Sequence, residues 1–445
     1  MRRTLLKALA AIVLGLALGV AGAVWWKLTG PGEQNFADDV ERFKYGSLGA
    51  EPRTSVPYPI FFVMPRAFPD LLPSHGGWGA FGPAWEEGAR LPIGLSIKRV
   101  GYERVTANCA FCHTTTYRLT AEENPRFAPG GPGSTLRVQR MLQFVVAAAY
   151  DRRFVSARLL PEIAVHFKFD WLDPLIFKYG LIPQERRQFR ELGRRTVWFA
   201  SSPPWDAGRA QLLALDQSAD GQLTPTDVQG ASDIPALWGV DEGLAFWGGE
   251  AATPRAALET CARVVGAPPS TAFDATADWL AGIMAGLTPP AFPDPLDGTL
   301  VERGSTVFAG ACASCHAEGG ERTGTIVPLA EIGTDPERAR AGRSDGYLSR
   351  PLTGAWLLGP YLHNGSVPSM ADLIETPERR PAAFFRGYDL IDRERVGFVS
   401  SGAEAQRQGE RFDIGVPGNG NGGHLYGTDL SEADKQALLE FLKTL

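Results

Sequence analysis

A chain of 445 residues has mass for two or three domains. With 44% hydrophobic and 21% charged residues it has the composition of a folded soluble protein, which excludes a disordered tail, a coiled coil and a polytopic membrane protein. A formal charge of -6 speaks against a nucleic-acid surface, which needs a basic excess. The 51 glycines and 34 prolines predict many loops and short regular elements.

The amino terminus opens with Arg2, Arg3 and Lys7 and then runs uncharged from Ala8 to Trp26. As a helix that run spans ~28 Å, about one hydrocarbon core. The basic flank fits the positive-inside rule, and Trp25-Trp26-Lys27 suits an interfacial belt at the far end. The competing reading is a signal peptide cleaved at Ala21-Gly22-Ala23. Both readings export the remainder. The expected location is the periplasmic side, either anchored to the inner membrane through residues 1–30 or secreted after cleavage.

Aromatic residues cluster next (Tyr58, Phe61, Phe62, Phe68, Trp78, Phe81, Trp85) and suit either a plain core or walls for a flat cofactor. Within them, His75 stands in a flexible Pro73-Ser74-His75-Gly76-Gly77 loop. Cys109-Ala110-Phe111-Cys112-His113 and Cys312-Ala313-Ser314-Cys315-His316 are two copies of C-x-x-C-H, the attachment signature of c-type haem. Two thiols three positions apart can each add to a vinyl group of one porphyrin. The adjacent imidazole, here His113 or His316, then reaches the iron. A zinc site would want more ligands at short spacing, and a redox C-x-x-C gives no reason for histidine in both copies. Two covalently bound haems c are therefore expected.

Between the motifs, Pro129-Gly130-Gly131-Pro132-Gly133 predicts a rigid loop, and Val138 to Tyr150 a helix. His75, His166, Met64 and Met141 are candidates for the face opposite His113, with no spacing to choose among them. Asp216 to Asp227 nearly follows an EF-hand loop, with Asp216, Ser218, Asp220 and Asp227 as possible calcium ligands. Its last position is Asp rather than Glu, and a solvated acidic turn explains it as well. Cys261, in an amphipathic run from Ala256 to Val265, reads as a small buried hydrophobe.

Pro293 and Pro295 mark a linker, after which Gly304-x-x-x-Phe308 precedes the second motif. Ser431-Glu432-Ala433-Asp434 caps a closing helix carrying Leu438, Leu439, Phe441, Leu442 and Leu445. This order resembles the small c-type cytochrome fold, in which the first and last helices cross at a small residue, here Gly304. His424, in the glycine- and asparagine-rich loop before that helix, is the expected distal ligand, ahead of His363 and Met370.

Tyr361-Leu362-His363-Asn364-Gly365-Ser366-Val367-Pro368 resembles the Y-x-H-N/D-G segment of the bacterial di-haem cytochrome c peroxidase superfamily. That group includes di-haem protein-maturation enzymes and latex-cleaving rubber oxygenases. The resemblance is strongest from about Gly304 to Leu445. The rubber oxygenase branch is nearest, because its second haem takes a late histidine, matching His424. The usual peroxidases place a methionine about fourteen residues after the histidine of Y-x-H, and here that position is Pro377. The rubber oxygenases are also considerably longer.

The resemblance implies a mainly α fold with many loops, built as two cytochrome c-like haem domains at 31–290 and 291–445, the first with large insertions. It further implies an open distal face at the haem of His113, where oxygen or peroxide reacts. The second haem would store or relay the electron, with Trp356 or Trp238 as bridges. His75 and His363 are the catalytic candidates. The partner would be a periplasmic electron donor or acceptor such as a small cytochrome. Two further readings stay open: an electron-transfer cytochrome with both haems six-coordinate, and a structural or assembly factor in which haem only supports folding.

Overall fold

A computed structural model describes residues 2–219, 230–239, 254–265, 271–284 and 286–445. The apolar start forms α1 (Arg2–Thr29), the one helix among the described residues long and apolar enough to cross a membrane. α2 (Tyr58–Ala67) follows. The chain then turns into an antiparallel hairpin, β1 (Leu95–Val100) with β2 (Tyr102–Ala107), which reverses at Gly101 in the left-handed region.

This hairpin delivers the chain to Cys109, and a second one, β3 (Thr114–Tyr117) with β4 (Arg126–Pro129), carries it away. The first C-x-x-C-H thus lies in a short 3₁₀ turn between two hairpins, a strand-rich setting within a fold expected to be mainly α. The β-branched and aromatic run Thr114-Thr115-Thr116-Tyr117, buried on both faces, explains the local preference for strand. Helices return with α3 (Val138–Tyr150), α4 (Ser156–His166), α5 (Asp173–Ile176) and α6 (Ile182–Arg195), then α7 (Leu212–Ala219), α8 (Pro254–Val265) and α9 (Thr271–Met284).

The carboxy-terminal region opens with α10 (Gly298–Ala311), capped by Asp297, and closes with α11 (Glu432–Leu442), capped by Ser431. The two helices cross at Gly304, as expected. A Cβ there would overlap the carbonyl oxygen of Ala437, and Phe308 packs on Phe441 with ring centroids 5.1 Å apart.

Two hydrophobic cores hold these elements. One is built from residues between Val24 and Ile234 and absorbs the early aromatic cluster. Phe61 stacks on Trp78 at 4.1 Å, and Trp78 and Phe81 each meet Phe144 of α3 at 5.4 Å. These rings are a plain core. The other core joins Phe43, Tyr117 and Trp238 to Trp356, Tyr361 and Leu438, so packing is continuous across position 291. Trp356 is its hinge, edge-on to Tyr117 at 5.6 Å and to Phe292 at 5.5 Å.

Among the described residues, Glu185 is a buried acid with no hydrogen-bond partner. Both carboxyl oxygens of Glu185 in α6 are sealed in the first core, and burial pushes its pKa up to about 8 against the weaker pull of Arg104. The folded state then holds a proton that the unfolded chain releases near pH ~4.3, so stability falls as pH rises from there towards about 8. Glu185→Gln is expected to remove this decline, which urea unfolding at pH 5 and pH 9 measures directly. Gly304→Ala is expected to cost about 1–3 kcal/mol by forcing α10 and α11 apart, read as a lower Tm.

Candidate haem sites

In the carboxy-terminal site the chain leaves α10 at Cys312, and residues Ala313–His316 make one further turn. His316 N–H donates to the Cys312 carbonyl at 3.0 Å, which folds the backbone back through one helical turn. Its Nδ1 bonds the Arg350 carbonyl at 2.7 Å and leaves Nε2 free. Opposite stands His424, with ring centroids 6.1 Å apart. Two imidazoles bound on opposite sides of one metal ion at about 2 Å each stand about 6 Å apart by centroid. A cavity of ≈ 490 Å³ lies here, lined by Cys312, Cys315, His316, His363, Met370 and His424 among others.

His424 reaches this position because its loop is pinned throughout. It adopts φ 46°, and its N–H donates to Ile332 O at 2.7 Å. The preceding Gly423 lies so close to Gly333 and Thr334 that no Cβ would fit. Buried Arg380 donates to the carbonyls of Asn421, Gly423 and His424 at 2.6–3.1 Å. Asn364, from the Tyr361–Pro368 segment, donates to Gly418 O at 3.1 Å and Gly420 O at 2.9 Å. That segment therefore acts through the loop it holds. Burial drives the His424 pKa down to about 4, with neighbouring His316 adding to the shift, and it lowers that of His316 too. Both imidazoles are neutral, the state in which nitrogen offers a lone pair. Met370 lines the cavity as a buried core residue at the start of a short helix.

His363 does not join this pair. It stacks on Tyr347 at 3.7 Å, its Nε2 is buried without a partner, and burial depresses its pKa to about 3. Its carbonyl accepts from Asp233 N–H at 2.9 Å, and Asp233 pairs with the fully buried Arg386.

In the amino-terminal site Asn108 caps the turn, its side chain accepting from Ala110 N–H at 2.9 Å. His113 N–H donates to Cys109 O at 3.0 Å, the same fold-back as in the second motif. Its Nδ1 bonds Pro235 O at 2.8 Å, and burial lowers its pKa to about 4. The Pro129–Gly133 loop wraps this turn closely: a Cβ on Gly133 would press on Cys112 O, and one on Gly131 on Thr115 and Trp238. A second cavity, ≈ 470 Å³, opens beside Cys109 with Phe43, Asn108, Trp279 and Leu280 in its wall.

Cys261 lies near both cysteines of this motif. Burial first and Cys261 second push the Cys112 thiol up to about 12. The plain-core reading of Cys261 missed this proximity, for which no local pattern exists in the sequence.

The other candidates stand elsewhere. His75 is exposed among bends, and His166 pairs with Glu162 on the surface of α4. Met64 is fully buried and Met141 partly buried in the first core. Asp216 and Ser218 fall inside α7 rather than in a loop, and Asp216 pairs with Arg263 at 3.1 Å. Asp220 and Asp227 lie outside the described residues. The calcium reading thus loses its first carboxylate to an arginine.

Arg350 is the residue that sequence reasoning missed. Its carbonyl holds His316, while its guanidinium donates to Ala236 O at 2.8 Å in the segment whose Pro235 carbonyl holds His113. Trp238 ends that segment, donating from Nε1 to Pro129 O at 2.9 Å. Arg350→Ala is expected to cost about 1–3 kcal/mol by leaving the Ala236 carbonyl unpartnered. Thermal unfolding checks this, with Arg350→Lys recovering part of the loss.

Comparison with known proteins places this geometry in context. A family model described as RoxA-like, cytochrome c-like matches residues 346–385, the stretch holding Arg350, Tyr361–Pro368, Met370 and Arg380. The uncharacterized proteins y4iJ and y4iM of Sinorhizobium fredii are each 27% identical and cover 36% and 38% of this chain. The chain spans 42% and 49% of their lengths, less than half of each. The matched stretch supports a cytochrome c-like domain in the carboxy-terminal region, and such a domain implies covalently bound haem c.

Proposed function

We propose that this chain is an exported di-haem c-type cytochrome acting as an oxidoreductase. In this reading it reduces peroxide or activates oxygen at the haem of His113 and relays electrons through the haem of His316. The observation that carries the reading is the facing pair His316 and His424, 6.1 Å apart at the cavity beside Cys312 and Cys315. Haem iron supplies one-electron redox chemistry when bound.

The residues divide the remaining tasks. Cys109 and Cys112 would hold one porphyrin, and Cys312 and Cys315 the other. The backbone carbonyls of Pro235 and Arg350 orient His113 and His316, so that each ring presents Nε2. Arg380 and Asn364 keep His424 in place, so that with His316 it would hold the second haem and leave no room there for a substrate. A centre closed on both faces suits electron relay, which leaves small-oxidant chemistry to the first. The fold-back of His113 and the Pro235–Trp238 segment support a second haem there, although no described residue pairs with His113 as His424 does with His316. The expected partner is a periplasmic electron donor or acceptor such as a small cytochrome, and the apolar α1 supports a location at the periplasmic side, anchored to the inner membrane or secreted after cleavage.

The spin state of each ferric haem tests the proposal. One low-spin signal and one high-spin signal that shifts on adding cyanide or peroxide are expected. Two low-spin signals in both redox states, without peroxide turnover, would leave only an electron-transfer cytochrome. His424→Ala is expected to turn the low-spin signal high-spin and leave the other unchanged. An unmoved spectrum would overturn the ligand assignment.

A further inference from the structure

The last turn of α1 is built into the folded body. Val24 and Leu28 pack on the first core, Gly101 N–H donates to Gly30 O at 2.6 Å, and Pro31 bridges to Val100. Lys27 Nζ pairs with Asp170 at 2.6 Å and Asp173 at 2.5 Å, and the Tyr102 hydroxyl donates to Asp173 at 2.7 Å. Where α1 spans a bilayer, Lys27 marks its edge, since Trp25 and Trp26 stand exposed just before it.

Between the two carboxylates that hold Lys27 stands Trp171, 71% exposed. Leu175 and Tyr179, 48% and 70% exposed, follow at four-residue spacing along α5 and the π turn Phe177–Leu181. Val165 is 76% exposed on the adjoining end of α4. Exposed Lys168 and Lys178 flank the patch, with the Lys178 ammonium 5.0 Å from the Tyr179 ring centre.

We propose that Trp171, Leu175 and Tyr179 enter the lipid headgroup region of the membrane that α1 spans and hold the body against the bilayer. The inference rests on reading α1 as an anchor. Continuity argues for lipid as the occupant: the Lys27 ion pairs fix the patch at the level where α1 leaves the hydrocarbon. Indole and phenol rings suit that level, because each has an apolar body and a polar edge. The lysines carry their charge towards lipid phosphates while their stems lie along apolar surface. A bulky protein partner at this spot would compete for space with the bilayer.

The test uses the full haem-loaded chain in nanodiscs containing a phospholipid with a diazirine near its headgroup, with crosslinked peptides mapped by mass spectrometry. Crosslinks are expected in α1 and in residues 168–181, and none in 432–445. Replacing Trp171, Leu175 and Tyr179 by serine is expected to lower labelling of 168–181 several-fold with α1 labelling unchanged. Labelled α1 with unlabelled 168–181 overturns the surface and leaves the anchor standing. Unlabelled α1 overturns the anchor and the surface with it. Crosslinks from 168–181 to a second copy in place of lipid also overturn the proposal.

Discussion

Each C-x-x-C-H histidine is held through Nδ1 by a backbone carbonyl, and most of the molecule's architecture serves those two hydrogen bonds. A ring with one nitrogen committed to a carbonyl has a fixed tautomer and a fixed orientation, so its other nitrogen is aimed rather than free to rotate. The acceptors are Pro235, 122 residues after His113, and Arg350, 34 residues after His316. The Arg350 guanidinium closes the circuit on Ala236, one residue past the acceptor of His113. Arg350 thus joins the segments behind both histidines, over a core that runs unbroken from Tyr117 through Trp356 to Leu438.

A second constraint is that much of the site consists of loop. Loops bring unpaired carbonyls and amides, and burying them without partners is costly. Here buried arginines do what a helix or sheet would otherwise do. Arg380 gathers three carbonyls of the His424 loop, and Arg386 gathers Ala207 and Gly365 while pairing with Asp233. The cost of burying a guanidinium is offset by several hydrogen bonds at once, which its planar fork can make and a lysine cannot. The glycine-rich composition belongs to the same design. Gly131, Gly133 and Gly423 lie where neighbouring backbone or rings leave no room for a side chain.

Much of this was legible in the sequence where chemistry is local. The C-x-x-C-H spacing named its cofactor class, the small residue at Gly304 marked a helix crossing, and a glycine-rich loop before a capped helix singled out His424. Local patterns failed where long-range packing decided. The strands around Cys109 had no local signal in a fold expected to be mainly α, and they form where Thr114–Tyr117 is buried on both faces. Asp216 looked like an ion ligand until Arg263, 47 residues on, was seen to take it. Cys261 had no pattern to announce its place beside Cys109 and Cys112.

The sequence by itself determined which atoms are available: four paired thiols, two adjacent imidazoles, a late histidine and one apolar helix. These follow from spacing along the backbone, which a short motif encodes completely. Only the tertiary structure decided which carbonyl each imidazole meets, how Arg380 and Asn364 pin the His424 loop, and that Arg350 bonds the segment behind His113. Those choices rest on contacts between residues scores to hundreds of positions apart, whose formation depends on the packing of the whole chain.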